Sequence, residues 1–197
     1  MLGARFAEAA PKLAISLDFD GIHLEDWIDR LRVGAGQSAW LLQMSSKVMD
    51  KKGVARGDKL IAPWLRQLAS AAVNQPVTGY LVARDAIVTM APLDPVQSRS
   101  ELAALIALWR RNLDQPLPVA CKTALAMLQE GDPRAIYDGG FELAGEVEDL
   151  SLARLWPDFS ALLASGEWAD TSTALYGPLA QWLNDSILLE PHEGEES

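Results

Sequence analysis

The hydrophobic pattern of this chain changes period near residue 57, and that change constrains the fold more than any other feature. Before it, apolar residues alternate with polar ones or form short apolar runs, as in strands. After it, they recur at the spacing of amphipathic helices. With 197 residues, 49% of them hydrophobic, the chain can bury one substantial core. The sequence therefore predicts one α/β (α+β) domain over residues 1–189 and an acidic flexible tail over 190–197.

Three strands are predicted in the first part of the chain, over residues 13–17, 26–33 and 39–44. Turn-forming residues separate them at 18–21 and 34–37. The second segment alternates apolar and polar residues, whereas the third is almost continuously apolar, as in a strand covered on both faces. A three-stranded β-meander is the simplest arrangement that joins them.

Helices and one hairpin are predicted in the remainder. A helix capped by Asp58 has an apolar face formed by Ile61, Trp64, Leu65, Leu68 and Ala72. Segments 79–83 and 86–90 form a β-hairpin. Asp94 and Pro95 begin a second helix, with a buried stripe of Leu102, Leu105, Ile106, Trp109 and Leu113. Further helices are expected over 119–128 and 173–183.

Charge is distributed unevenly along the chain, which carries −10 overall. Residues 1–129 have a net charge of +3 and residues 130–197 one of −13. A free-standing nucleic-acid binder of the usual basic kind is therefore excluded. The single cysteine, Cys121, indicates a reducing compartment, and no apolar run resembles a signal peptide or a membrane span. We expect a cytoplasmic protein with no membrane contact.

The common catalytic signatures are absent from the sequence. It contains no glycine-rich phosphate loop and no Gly-x-Ser-x-Gly turn. His23 and His192 are its only histidines, and no Cys/His cluster is present to hold zinc. We therefore expect no cofactor.

One arrangement resembles the metal site of PD-(D/E)XK nucleases, in which an Asp on one strand faces an acidic residue and a Lys on the next. Asp29 takes the first position. If Lys47 takes the lysine position, Ser45 replaces the second acid; if the register slides by two, Gln43 and Ser45 replace the acid and the lysine. Neither a hydroxyl nor an amide substitutes well for a Mg²⁺-binding carboxylate.

Two other interpretations of Asp29 stay open. It can be an ordinary polar residue of a strand. It can also belong to an active Mg²⁺-dependent nuclease in which the second carboxylate comes from Asp18, Asp20 or Glu25.

A basic segment follows the third predicted strand and is a candidate contact for a DNA backbone. Its cationic residues are Lys47, Lys51, Lys52, Arg56 and Lys59. Asp50 and Asp58 reduce its net charge to +3. Each Lys or Arg on a phosphate adds salt-sensitive affinity. A solvated loop with no ligand is the alternative.

Four segments, in this order, resemble the C-terminal domain of the exodeoxyribonuclease V gamma subunit, the RecC family. They are Gly57-Asp58-Lys59-Leu60-Ile61-Ala62-Pro63-Trp64-Leu65-Arg66-Gln67-Leu68, Pro116-Leu117-Pro118-Val119-Ala120-Cys121-Lys122-Thr123-Ala124, Leu155-Trp156-Pro157-Asp158-Phe159 and Leu175-Tyr176-Gly177-Pro178-Leu179. The resemblance extends from about Leu13 to Leu183.

The resemblance implies a degenerate PD-(D/E)XK nuclease-like core with a β-meander and flanking helices. It also implies a non-catalytic scaffold within the RecBCD helicase–nuclease, an ATP-dependent exodeoxyribonuclease that processes double-strand breaks. RecB-like and RecD-like subunits would be its partners, together with DNA held in the complex. The family's subunit is several times longer, so the chain is expected to be a C-terminal fragment or a shortened relative. An acidic protein-binding adaptor with no link to DNA is the remaining alternative.

Overall fold

The computed structural model describes residues 5–34, 36–141 and 143–192 and shows a mixed α/β protein. The strands are β1 (Glu8–Ala9), β2 (Leu13–Phe19), β3 (Ile22–Ile28), β4 (Leu31–Gly34), β5 (Gln37–Gln43), β6 (Thr78–Val82), β7 (Ala86–Met90) and β8 (Ile187–Pro191). The helices are α1 (Gly57–Ala72), α2 (Pro95–Asp114), α3 (Cys121–Leu128), α4 (Pro133–Asp138), α5 (Leu150–Leu155), α6 (Phe159–Ala164) and α7 (Trp168–Asp185), with a 3-10 turn at Glu146–Glu148.

The chain forms two compact units, residues 1–106 with 183–197 and residues 107–182. The single domain predicted over residues 1–189 stays a prediction. Strand β8 includes Glu190 and Pro191, which pair with Ile87 and Ala86 of β7. The strand therefore extends past the predicted start of the tail, and residues 193–197 lie outside the described residues.

The first unit contains a six-stranded sheet in the order β1-β4-β5-β6-β7-β8 and a separate two-stranded ribbon of β2 and β3. Strands β5 and β6 are parallel, because α1 returns the chain between them. The other neighbouring pairs of the sheet are antiparallel. The predicted hairpin of β6 and β7 is confirmed.

The predicted three-stranded meander is wrong. The segment 26–33 is divided between β3 and β4, which belong to different sheets. At the division Arg30 has φ 58°, a left-handed conformation that ends the extended backbone. The ribbon of β2 and β3 turns through Asp20 and Gly21, both at positive φ, as in a tight two-residue hairpin.

Helix α1 is fixed to the sheet by a buried glutamine. The Gln67 carboxamide accepts a hydrogen bond from the Trp40 indole at 3.2 Å and donates to the carbonyls of Met90 and Ala91, each at 3.0 Å. The predicted apolar face is partly wrong: Leu65 is 38% exposed, whereas Leu60 and Gln67 are buried. The helix begins one residue before Asp58, whose side chain binds neighbouring basic groups and does not cap the helix.

Helix α2 begins as predicted, because the Asp94 carboxylate accepts a hydrogen bond from the Gln97 amide at 2.8 Å. Its predicted buried stripe is only partly correct. Leu102 is buried, but Trp109 is 53% exposed and Leu113 is 65% exposed. Apolar spacing alone did not show that the second half of this long helix is exposed.

The second unit has an aromatic core. Tyr137, Phe159 and Trp168 pack together with Ala120 and Leu162. The rings of Phe159 and Trp168 meet edge to face, with centroids 5.1 Å apart. Burial and the nearby Glu146, Asp138 and Asp158 raise the pKa of Tyr137 to about 12. Its hydroxyl, protonated at neutral pH, donates to the carbonyl of Trp156 at 2.7 Å.

Candidate functional site

Asp29 lies between β3 and β4 and lines a groove of about 1070 Å³ beside the six-stranded sheet. We call this the Asp29 groove. Its lining residues are Ala9, Ala10, Lys12, Asp29, Arg30, Leu31, Arg32, Leu41, Leu42, Gln43, Val82 and Ile87. Gln43, the last residue of β5, therefore lines the same groove as Asp29. The structure brings together two of the four residues in the predicted nuclease-like arrangement.

The Asp29 carboxylate is paired with a cation of its own unit. The Arg66 guanidinium, on α1, lies 3.2 Å from it, and the two side chains are 31% and 41% exposed respectively. The guanidinium offsets part of the carboxylate charge. Asp29 therefore links the β3–β4 junction to α1.

The other two predicted residues lie outside the groove lining. Strand β5 ends at Gln43, within one residue of the predicted end at 44, so Ser45 and Lys47 follow the strand and line no part of the groove. The alternative carboxylates Asp18, Asp20 and Glu25 belong to the β2–β3 ribbon and do not line the groove either. Asp18 lies 2.9 Å from the His23 imidazole.

Three basic side chains line the Asp29 groove. Arg32 donates to the carbonyls of Phe6 and Ala7, each at 3.1 Å, which holds its guanidinium against the backbone. The Lys12 ammonium lies 4.9 Å from the ring centre of Trp27, a side chain that is 58% exposed. Arg30 is exposed and left-handed. The groove is therefore basic although it contains Asp29.

The basic segment begins with a short ordered hairpin, residues 48–56, which we call the basic hairpin. The Arg56 amide donates to the Val48 carbonyl at 2.8 Å, and Met49 pairs with Ala55. At the tip, the Asp50 carboxylate accepts hydrogen bonds from the amides of Lys52 and Val54 at 2.8 and 2.9 Å. Gly53 completes the turn at φ 76°.

Asp85, in the turn between β6 and β7, fixes the root of the basic hairpin. Its carboxylate accepts hydrogen bonds from the amides of Val48 and Met49 at 2.9 and 3.1 Å. Burial acts to raise the pKa of Asp85. Its effect is outweighed by these two hydrogen bonds, by a third from the Asp85 amide and by the charge of Lys47, so that the pKa lies below 3.8. The hairpin is thus held by an ionised carboxylate.

The five basic residues predicted to contact DNA differ in their surroundings. Lys47, Lys51 and Lys52 are exposed. Arg56 and Lys59 instead share Asp58, whose carboxylate lies 3.1 Å from the Arg56 guanidinium and 3.8 Å from the Lys59 ammonium. The positive charge that is open to solvent is therefore concentrated at Lys47 and at the hairpin tip.

Several residues that shape these two regions have no recognisable signal in the sequence. Arg66 lies on the polar side of α1, where its spacing resembles that of any solvated arginine. Arg30 and Arg32 lie in a segment that was assigned to a single strand. Asp85 lies in a short turn, and no local pattern indicates that it binds amides 36 and 37 residues away.

The described residues contain neither a candidate metal cluster nor a candidate membrane span. No group of three or more His, Cys, Asp and Glu side chains in this part of the chain is placed to hold a metal ion. No helix there is long and apolar enough to cross a membrane.

The model of the RecC C-terminal domain family matches residues 2–132. The chain belongs to the RecC C-terminal domain family. The matched range contains the Asp29 groove and the basic hairpin, and it ends before most of the second unit. No curated protein matches the chain.

Proposed function

We propose that this chain is a non-catalytic, nuclease-like scaffold domain of the gamma subunit of the RecBCD helicase–nuclease. In this role it contacts RecB-like and RecD-like subunits in the cytoplasm and helps to guide DNA strands during double-strand break repair. Membership of the RecC C-terminal domain family supports the assignment to this subunit. The ATP-dependent exodeoxyribonuclease activity belongs to the complete complex.

The observation that carries the non-catalytic part of the proposal is the pairing of Asp29 with Arg66 beside Gln43. Magnesium-dependent hydrolysis needs carboxylates that are free to coordinate the ion. Here the Asp29 carboxylate binds a guanidinium at 3.2 Å. Gln43, at the end of the neighbouring β5, offers an uncharged amide in the same groove. The proposal includes a degenerate PD-(D/E)XK core built around these two positions.

The basic hairpin supports the part of the proposal that concerns DNA. Lys47, Lys51 and Lys52 are exposed, and the carboxylates of Asp50 and Asp85 accept hydrogen bonds from backbone amides. Arg56 and Lys59 lie beside them at the start of α1. These five residues are the proposed contacts to the DNA backbone.

Subunit association tests this function. The chain is mixed with purified RecB-like and RecD-like subunits and analysed by size-exclusion chromatography, first alone and then with a forked DNA. Co-elution with the subunits is expected, as is strand cleavage by the complex that is equal for wild type and Asp29→Asn. Failure to co-elute under both conditions contradicts the scaffold role. Cleavage that is lost in Asp29→Asn contradicts the non-catalytic role.

A further inference from the structure

The two faces of the six-stranded sheet differ, and the difference identifies a surface. Trp40 faces α1, where its indole binds Gln67. Leu41, the next residue of β5, therefore points to the opposite face, where it packs with Phe6, Ala39 and Tyr80. The strand register extends this second face from Gln43 to Val82 and Ile87 in the adjacent strands.

Part of this second face is apolar and half-buried, although Gln43 and Glu190 also lie on it by strand register. Leu41, Val82 and Ile87 are half-buried, and all three line the Asp29 groove. On the same face Leu188, which pairs with Thr89, is 59% exposed. Apolar side chains that remain half-exposed at the base of a groove are typical of binding surfaces.

Basic groups rim this apolar floor. Lys12 and Arg30 are exposed, and Arg32 lines the groove with them. Asp29, the acidic residue in the groove lining, binds Arg66 and so offsets little of their charge. Arg30 is also held in a left-handed conformation at φ 58°, which is uncommon for a residue with a side chain and concentrates at functional sites.

We propose that the Asp29 groove binds a short acidic segment of a partner protein in which apolar residues are interspersed with Asp or Glu. Charge complementarity carries this choice: carboxylates suit Lys12, Arg30 and Arg32, while apolar side chains suit the floor of Leu41, Val82 and Ile87. Seven of the twelve lining residues are apolar, whereas nucleic-acid interfaces are more polar and far more basic. The inference rests on the proposed scaffold function and specifies the chemistry of a partner contact.

Two double variants, which change the net charge by the same amount, distinguish this site from the basic hairpin. The groove pair is Lys12→Glu with Arg30→Glu, and the hairpin pair is Lys51→Glu with Lys52→Glu. All four side chains are exposed, so both variants are expected to fold, which circular dichroism checks. The probes are a short fluorescein-labelled peptide in which Glu alternates with Leu, the same peptide with Lys for Glu, and a labelled oligothymidine.

Fluorescence anisotropy is then measured for each probe with the full chain. The Glu-Leu peptide should bind the wild type and lose about tenfold or more in affinity with the groove pair, but not with the hairpin pair. The Lys-Leu peptide should not bind. A Glu-Leu peptide that does not bind, that loses affinity equally with both pairs, or that binds no better than its Lys counterpart overturns the inference.

Two further outcomes distinguish this inference from the proposed function. If the groove pair weakens oligothymidine binding more than peptide binding, the groove is a nucleic-acid site and the peptide inference is wrong. If the peptide binds as expected but the chain does not co-elute with RecB-like and RecD-like subunits, the scaffold role fails while the groove assignment stands. Loss of co-elution with the groove pair, but not with the hairpin pair, supports both.

Discussion

The Asp29 groove and the basic hairpin both place carboxylates beside basic side chains, but the carboxylates bind different partners. In the groove, Asp29 binds the guanidinium of Arg66. Asp50 in the hairpin and Asp85 at its root bind backbone amides instead. A carboxylate bound to amides shapes the backbone, whereas one bound to a guanidinium offsets a charge. The hairpin is therefore ordered, and Asp29 is held within its own ion pair.

Glu146 shows that amide-bound carboxylates also organise the second unit. Its carboxylate accepts hydrogen bonds from the amides of Lys122 and Thr123 and from the Thr123 hydroxyl, at 2.7 to 2.9 Å. These amides belong to the first turn of α3, where the helix dipole favours a negative charge. Asp50, Asp85 and Glu146 thus stabilise the backbone, whereas Asp29 lines a groove.

The largest expected effect is on stability, at the root of the basic hairpin. Asp85→Ala removes the acceptor for the Val48 and Met49 amides, so we expect the free energy of unfolding to fall by about 1–3 kcal/mol. Urea denaturation measures it. The control is Asp18→Ala, because the exposed Asp18 side chain binds the half-exposed His23 imidazole on the paired strand of the ribbon. If both substitutions lowered the free energy of unfolding equally, an amide-bound carboxylate would contribute no more to stability than one bound to a side chain, contrary to this prediction.

The next effect concerns DNA. The hairpin pair, Lys51→Glu with Lys52→Glu, should weaken binding of a labelled single strand by about tenfold at low salt and reduce the salt dependence of binding. The physical reason is the loss of phosphate contacts and their replacement by like charge. Anisotropy titrations at several salt concentrations measure it, with the groove pair as the matched control. If only the groove pair loses DNA affinity, the assignment of the two regions is reversed.

A pH series gives a smaller effect at Asp85. Since the folded pKa of Asp85 lies below the ordinary 3.8, its ionised form contributes stability that is complete above 3.8 and is lost as the pH falls through the folded pKa. The stability difference between wild type and Asp85→Asn should therefore be constant from neutral pH down to about 4 and shrink in more acidic solution. Urea denaturation across this range measures it. A stability difference that grows on acidification would contradict a lowered pKa of Asp85 in the folded protein.

The smallest effect is expected at Asp29. The ion pair with Arg66 is partly exposed, so Asp29→Asn should change the free energy of unfolding by less than about 1 kcal/mol. A double-mutant cycle with Arg66→Gln isolates the pair energy from other effects of each substitution. A coupling as large as the whole Asp85→Ala effect would mean that Asp29 is primarily a structural residue, like Asp85.

Local patterns predicted local structure well and pairing poorly. The hairpin of β6 and β7 and the start of α2 follow from alternation, helical spacing and a capping residue. The helices predicted over 119–128 and 173–183 are present as Cys121–Leu128 and Trp168–Asp185, the second of them starting five residues earlier. The meander failed because one backbone angle, at Arg30, sends β3 and β4 into different sheets. No side-chain pattern in this segment indicates that angle.

The candidate site was predictable to a similar degree. Asp29 and Gln43 were both chosen from their spacing, and the structure places them in one groove. Arg66 and Asp85 were missed because their contacts span 37 residues, a separation at which one sequence contains no pairing signal. The five basic residues were found as a group, but only the contacts of Asp58 show that Arg56 and Lys59 differ from the exposed lysines.

The most direct test of the central claim is a calorimetric titration of Mg²⁺ and Mn²⁺ into the purified chain, with Asp29→Ala as the control. We expect no saturable heat that depends on Asp29, because Arg66 holds the carboxylate and Gln43 supplies no charge beside it. Saturable binding that disappears in Asp29→Ala would contradict it and would show that the groove retains a working metal site.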